Sequence, residues 1–377
     1  MSNSSPVVTI VIVPRERFSV TRECLESILE HTRDVPYELV VIDGASPEPV
    51  KSFLAQAARQ HDFTLVRTPF FLAPNQAHNL GLEHVRTPYV LFFDNDTVAS
   101  PGWLAAMLAC AEQTGAEIVT PLTCEGTPLH QVIHFAGGDA GITEHVERGR
   151  VIRRLFERIH RQGNRVEDVR NELVRGETGV AEYHCILVRM DLFDRMGRFD
   201  EGLLNTKEHV DFSLSARQAG AKIFFEPNAI VTFTLDRPLR LYDLPYFMLR
   251  WSDSWEVRTL RQMMKKWQLD EAGYFADRLK NRGWRRKLLL WQPVAKKLSL
   301  GHRNRVLGHG LFMLDRGFNW LLSRYLQGRQ RRRARRPLEV RLARHRSVVG
   351  ESGARVIPRS AATRNPGAFE IPRVRSE

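Results

Sequence analysis

Apolar residues in this chain fall into two rhythms. Val7-Val8-Thr9-Ile10-Val11-Ile12-Val13 is an unbroken β-branched run ended by Pro14, the pattern of a strand covered on both faces. Ser19 reads as the N-cap of a helix whose apolar face holds Leu25, Ile28 and Leu29. The pattern then predicts strands over 38–42 and 63–67, a helix over about 75–85, and a fourth strand in Tyr89-Val90-Leu91-Phe92-Phe93. Strands alternating with helices in this way predict an α/β fold with a doubly wound, mostly parallel sheet.

The rhythm weakens between about 122 and 178. This stretch reads as an insertion, with a flexible loop at Gly137-Gly138 and Gly141 and a short helix over 151–159. Strands return near 183–188 and 223–225. From Pro238 to about Gln327 the chain reads as helical, with Trp251, Trp255, Trp267, Trp284, Trp291 and Trp320 spread among its apolar residues. The predicted division is therefore a catalytic domain over 1–235, a helical extension over 236–327 and a basic, disordered tail over 328–377.

Charge sharpens that division. Residues 1–235 hold 23 Lys and Arg against 31 Asp and Glu, net −8, while the remainder holds 33 against 12, net +21, within a chain total of +13. A basic extension with Trp284-Arg285-Arg286-Lys287-Leu288-Leu289-Leu290-Trp291 fits either a plain helical bundle or a helix lying on an anionic membrane surface. Nucleic acid is disfavoured as a partner, because no aromatic-interleaved sheet, zinc finger or helix-turn-helix accompanies the charge. Met1-Ser2-Asn3-Ser4-Ser5-Pro6 has no basic or apolar leader, and no apolar stretch reaches the roughly 18 residues of a spanning helix. The expectation is a cytoplasmic protein, either soluble or peripheral on the inner face of the membrane.

The candidate chemistry stands at strand ends. Asp94-Asn95-Asp96 follows the fourth strand directly, and Asp43 ends the second, so all three acids are placed at the sheet rim where α/β folds bind ligands. Hard carboxylate oxygens paired with substrate phosphates are how Mg²⁺ or Mn²⁺ is commonly held. Cys24, Cys110, Cys124 and Cys185 have no ligand-like spacing and read as buried thiols. His130 and His134 are four apart and would share a helix face, but without an accompanying Glu they form no metalloprotease signature. Neither a Gly-Xaa-Gly-Xaa-Xaa-Gly fingerprint nor a Walker-type loop is present, which removes the main support for dehydrogenase and ATPase readings.

Several blocks, in order, resemble the family 2 glycosyltransferases of GT-A fold. They are the first strand with Pro14, Asp43-Gly44-Ala45-Ser46, Ala77-His78-Asn79-Leu80-Gly81, Asp94-Asn95-Asp96, Gly197-Arg198-Phe199-Asp200-Glu201, and Glu208-His209-Val210-Asp211, within roughly residues 6–235. The resemblance implies a nucleotide-diphospho-sugar transferase that moves a sugar, with inversion, from a nucleoside-diphosphate sugar to a hydroxyl of a glycan or lipid-linked acceptor. It implies donor binding by Pro14, Asp43, His78, Asn79 and Asp94, and a divalent metal on Asp96. The proton acceptor would be His209, Glu208 or Asp211, in that order, because this chain has Glu208-His209 where many relatives have Glu-Asp. A further departure is that Val231-Thr232-Phe233-Thr234 lacks the His that often completes the metal shell in relatives. The alternatives are a non-catalytic adaptor on the same fold and a nucleotidyltransferase, the latter disfavoured by the absence of a Gly-rich basic loop after the first strand.

Overall fold

The computed structural model describes residues 5–302, 304–333 and 338–343. Its strands are β1 Val8–Val13, β2 Tyr37–Gly44, β3 Thr64–Thr68, β4 Tyr89–Asp94, β5 Thr97–Ala99, β6 Ile118–Glu125, β7 Ile133–Phe135, β8 Gly138–Glu147, β9 Arg150–Ile159, β10 Gly176–Glu177, β11 Cys185–Arg189, β12 Ile223–Phe233 and β13 Glu339–Arg341. The main sheet runs β10-β12-β6-β11-β4-β1-β2-β3-β13, with β5 on β12 and β7 on β6. β4, β1, β2 and β3 are mutually parallel, as are β6 and β12, and β11 enters antiparallel between the two groups. The mixed α/β fold with a mostly parallel central sheet is thus the one the sequence predicts.

β1 shows why its run is unbroken. Val8, Ile10 and Ile12 face one core together with Leu25, Ile28 and Trp103, while Val11 and Val13 face the other with Phe92, Ile186 and Phe212. A strand with helices on both sides has no solvent face to make polar. Helix Pro74–Leu82 lies so close over β1 that a Cβ on Gly81 would fall 2.4 Å from Val11 Cγ1, which accounts for the glycine in that block.

Three local readings are corrected. Ser19 caps no helix: the first helix is Thr21–His31 with Val20 at its N-cap. The backbone N–H groups of Phe18 and Ser19 instead donate to Asp243 Oδ1, at 2.8 and 3.0 Å, across more than 220 residues of chain. Residues 151–159 form no helix, because β9 pairs along its whole length with β8 as a long hairpin. His130 and His134 share no helix either, since His134 lies on β7 and His130 sits in a turn with φ of 63°.

The C-terminal part is helical, and with the sheet it forms one compact unit, Met1–Ala343. Its last helix, Arg305–Arg333, runs past the predicted limit at 327, and β13 then adds to the edge of β3. The part of the predicted tail beyond Ala343 lies outside the described residues. Tyr246 Oη donates to the Leu72 carbonyl at 2.9 Å, and Arg285 pairs with Glu16 at 3.0 Å, fastening the extension over the carboxyl ends of the strands. All four cysteines are buried and free.

Candidate active site

The carboxyl end of β4 and the turn after it position the site. Asn95, between the two acids, is the clamp: its amide donates to the Arg17 carbonyl and to Thr21 Oγ1, both at 2.8 Å, while its own Oδ1 accepts from Arg15 N at 2.8 Å. With Asn95 tied to the β1 loop, Asp94 and Asp96 are both fully buried. Arg15 Nε stands 3.3 Å from Asp94 Oδ2, and neither acid has a hydrogen-bond partner among the described residues. Burial raises both carboxyl pKa values, and the two acids reinforce each other at Asp96. Burial would lower the Arg15 pKa, but Asp94, Glu208, Glu182 and Asp96 together outweigh it and hold the guanidinium charged.

His184, just before β11, completes this corner. Its Nδ1 is 3.2 Å from Asp94 Oδ2, its ring stacks on Phe233 at 4.1 Å, and its backbone carbonyl accepts from Asp94 N at 3.0 Å. Burial drives its pKa well below the ordinary value, so the imidazole is neutral and able to act as a ligand. Ligand atoms of Asp94, Asp96 and His184 lie within 4.8 Å of one another, as do those of His134, Glu182 and His184. Two oxygens and a neutral nitrogen, buried and unpartnered, fit a divalent cation on their donor chemistry. Glu125 Oε2 accepts from His134 Nδ1 at 2.7 Å, which fixes the ring that faces His184.

The sequence pointed to Asp94 and Asp96 but not to His184, Glu182 or His134. One local signal existed: Glu182 and His184 stand two apart in the turn that leads directly into an apolar strand. No imidazole directly follows β12, but His184, just before β11, reaches this corner, and Phe233 of β12 supports its ring.

Helix Glu208–Gln218 brings its first turn to the same rim. Glu208 is 1% exposed with Arg250 3.4 Å away, and it shares the field of Arg15 with Asp94. His209 Nε2 is 2.6 Å from Glu157 Oε1 and 3.5 Å from Glu182 Oε2. Burial would lower its pKa, but the two carboxylates more than reverse this and raise it. Asp211 turns to the extension, where Lys266 Nζ and Trp267 Nε1 bind it, each at 2.8 Å.

The remaining predicted residues are placed as follows. Pro14 lies buried at the end of β1, its carbonyl 3.4 Å from Tyr246 Oη. Asp43 ends β2, but one oxygen accepts from Ser46 N at 2.8 Å and the other pairs with Arg67, so both are engaged. Asn79 holds the Gly197–Glu201 turn: it donates to the Phe199 carbonyl and accepts from Phe199 N, both at 3.0 Å. His78 is enclosed by Phe92, Tyr183 and Phe199, ring centroids 4.7 to 4.9 Å away, and neither nitrogen has a partner. Burial brings its pKa down to about 3, which makes it a neutral core residue beneath the site, not a wall of it.

Residues 9–130 match the family described as Glycosyl transferase family 2. This stretch is a family 2 glycosyltransferase segment. It contains Asp43, His78, Asn79, Asp94 and Asp96, and it stops before His134, Glu182, His184 and Glu208. The chain is also 24% identical over 230 residues to the Uncharacterized protein y4gI of Sinorhizobium fredii, a stretch covering 59% of this chain and 24% of that relative's length. Among solved structures, it is similar to GalNAc-T7 with UDP, GalNAc and Mn²⁺ at TM-score 0.47 and 16% identity, over 74% of this chain and 54% of the other. It is likewise similar to S. aureus TarS at TM-score 0.42 and 15% identity, over 74% and 43%.

Proposed function

We propose that this glycosyltransferase moves a sugar, with inversion, from a nucleoside-diphosphate sugar to a hydroxyl of a glycan or lipid-linked acceptor. The observation that carries this reading is the pair of fully buried carboxylates, Asp94 and Asp96, with no hydrogen bond to any of their four oxygens among the described residues, at the rim of a family 2 segment. Burying two acids 0% exposed with a single guanidinium between them and no hydrogen bonds is costly unless a ligand completes them.

Asp96, Asp94 and His184 would hold Mg²⁺ or Mn²⁺. Such an ion, when bound, would neutralise the leaving diphosphate as Lewis acid and point charge. Arg15 supplies a second positive group beside the same carboxylates and would steady the phosphates by charge-assisted hydrogen bonds. The acceptor's proton goes to Glu208 in this reading. His209 Nε2 is already committed to Glu157, leaving no lone pair there, and both Asp211 oxygens are held by Lys266 and Trp267. His209 would then orient Glu182 and the hairpin residue Glu157. General-base help of this kind contributes roughly 10² to 10⁴-fold.

The test is release of nucleoside diphosphate from UDP-, GDP- and dTDP-sugars with acceptor, in Mg²⁺, Mn²⁺ or EDTA, for the natural chain, Asp96→Asn, Glu208→Gln and His209→Gln. Metal-dependent turnover lost in Asp96→Asn and Glu208→Gln, but only reduced in His209→Gln, supports the assignments. Turnover that survives Glu208→Gln and disappears with His209→Gln returns the base to His209. Donors that fail even to bind would sink the glycosyl-transfer reading.

A further inference from the structure

The helix Arg305–Arg333 is inside out. Its buried positions, Gly308, Phe312, Asp315, Asn319, Ser323 and Leu326, recur every three or four residues and so form one face, yet half of them are polar. Each of those polar side chains finds a partner within the protein. Asp315 Oδ2 accepts from Arg286 Nε at 2.8 Å, the Asn319 amide donates to the Met248 carbonyl at 2.9 Å, and Ser323 Oγ donates to the Trp320 carbonyl at 3.1 Å. The opposite face carries Met313, Leu314, Phe318, Trp320, Leu321 and Tyr325, every one of them more than half exposed. A soluble helix places its apolar stripe inward, so this stripe calls for an apolar partner.

Charge decides which partner. Residues 278–333 contain 16 Lys and Arg and a single acid, Asp315, which is buried on the inner face. Exposed Lys296, Lys297, Arg305, Arg324 and Arg329 accompany the apolar residues, and the Arg324 guanidinium lies 4.7 Å from the centroid of the Trp320 ring. Two copies meeting through this face would oppose cation to cation with no acid to offset them. No described helix is long and apolar enough to cross a membrane.

We propose that this outward face docks on an anionic lipid surface, with the apolar residues entering at headgroup level and the surrounding Lys and Arg meeting lipid phosphates. This does not depend on the glycosyl-transfer reading, since it rests on a different face and different residues. The docked face belongs to the same compact unit as the rim acids, which would keep that unit at the membrane.

The experiment is flotation of the full chain with vesicles of phosphatidylcholine alone and with about one part in three phosphatidylglycerol. Binding to the anionic vesicles, weakened by salt, is expected. It should fall about ten-fold or more in Leu314→Ser/Phe318→Ser/Leu321→Ser and several-fold in Arg324→Gln/Arg329→Gln. All five residues are exposed, so thermal melting should match the natural chain, and Tyr325→Ser serves as a milder second variant. Absence of binding, equal binding to neutral vesicles, or binding that survives the triple substitution overturns the proposal. So does a dimer formed without lipid that the triple substitution dissolves, which would identify a second copy as the occupant.

Discussion

Two buried acid sites in this molecule contrast sharply. Asp315, on the inner face of the last helix, is met by Arg286, which is itself fully buried and also reaches Asp253 at 2.9 Å. Asp94 and Asp96 are as deeply buried, but the first meets Arg15 and the neutral His184 ring without a hydrogen bond, and no side-chain cation within ion-pair distance approaches the second among the described residues. A buried charge with its counter-charge built in holds structure together, whereas one without it is an unfinished site. The protein makes the first kind in its helical extension and the second at the sheet rim.

Asp96→Asn is the largest way to break the contrast. It should lower glycosyl transfer by about 10³-fold, roughly 4 kcal/mol of barrier, while leaving chemical stability unchanged or improved. Asp315→Ala should do the reverse. It removes the buried one of the two carboxylates that hold Arg286, leaving Asp253, and should cost about 2 kcal/mol in urea unfolding, with transfer by the folded fraction nearly intact. Swapped outcomes would show that the two sites have been misread.

His78 supplies a third case, a buried group that remains neutral because it has neither partner nor ligand. Its pKa falls to about 3 from an ordinary 6.5, so the unfolded chain binds the extra proton in between. Its contribution is therefore fully present above pH 6.5 and is lost as pH falls from 6.5 toward 3. By pH 5 this amounts to about 2 kcal/mol, and His78→Leu should flatten that part of the stability profile. The smallest effect is cation binding itself. Mg²⁺ or Mn²⁺ at about ten times its dissociation constant should add about 1.4 kcal/mol, seen as a raised melting temperature that Asp96→Asn abolishes.

The rim acids were legible because a strand and the residues that follow it are neighbours in sequence, and Asp94-Asn95-Asp96 needs only β4 to place it. His134, Glu182 and His184 were not, because β7 and β11 reach the rim by sheet order, and antiparallel β11 enters between β4 and β6 with no local warning. The β9 segment misled for a related reason. Val151, Ile152, Leu155, Phe156 and Ile159 recur at helical spacing, yet pairing with β8 satisfies every rung of the ladder and overrides that preference. Asp211 looked like a base until the extension supplied Lys266 and Trp267 to bind it.

By itself, then, the chain's order of apolar runs determined the α/β alternation, the strand ends and the two rim acids, since each depends on contacts along a few residues. The tertiary structure decided which imidazole meets those acids, which partners hold each of the three candidate bases, and which face of the last helix looks outward. Those choices rest on long-range partners such as Arg286, Lys266 and Phe233, and burial fixes which polar groups must be satisfied only once the elements are packed.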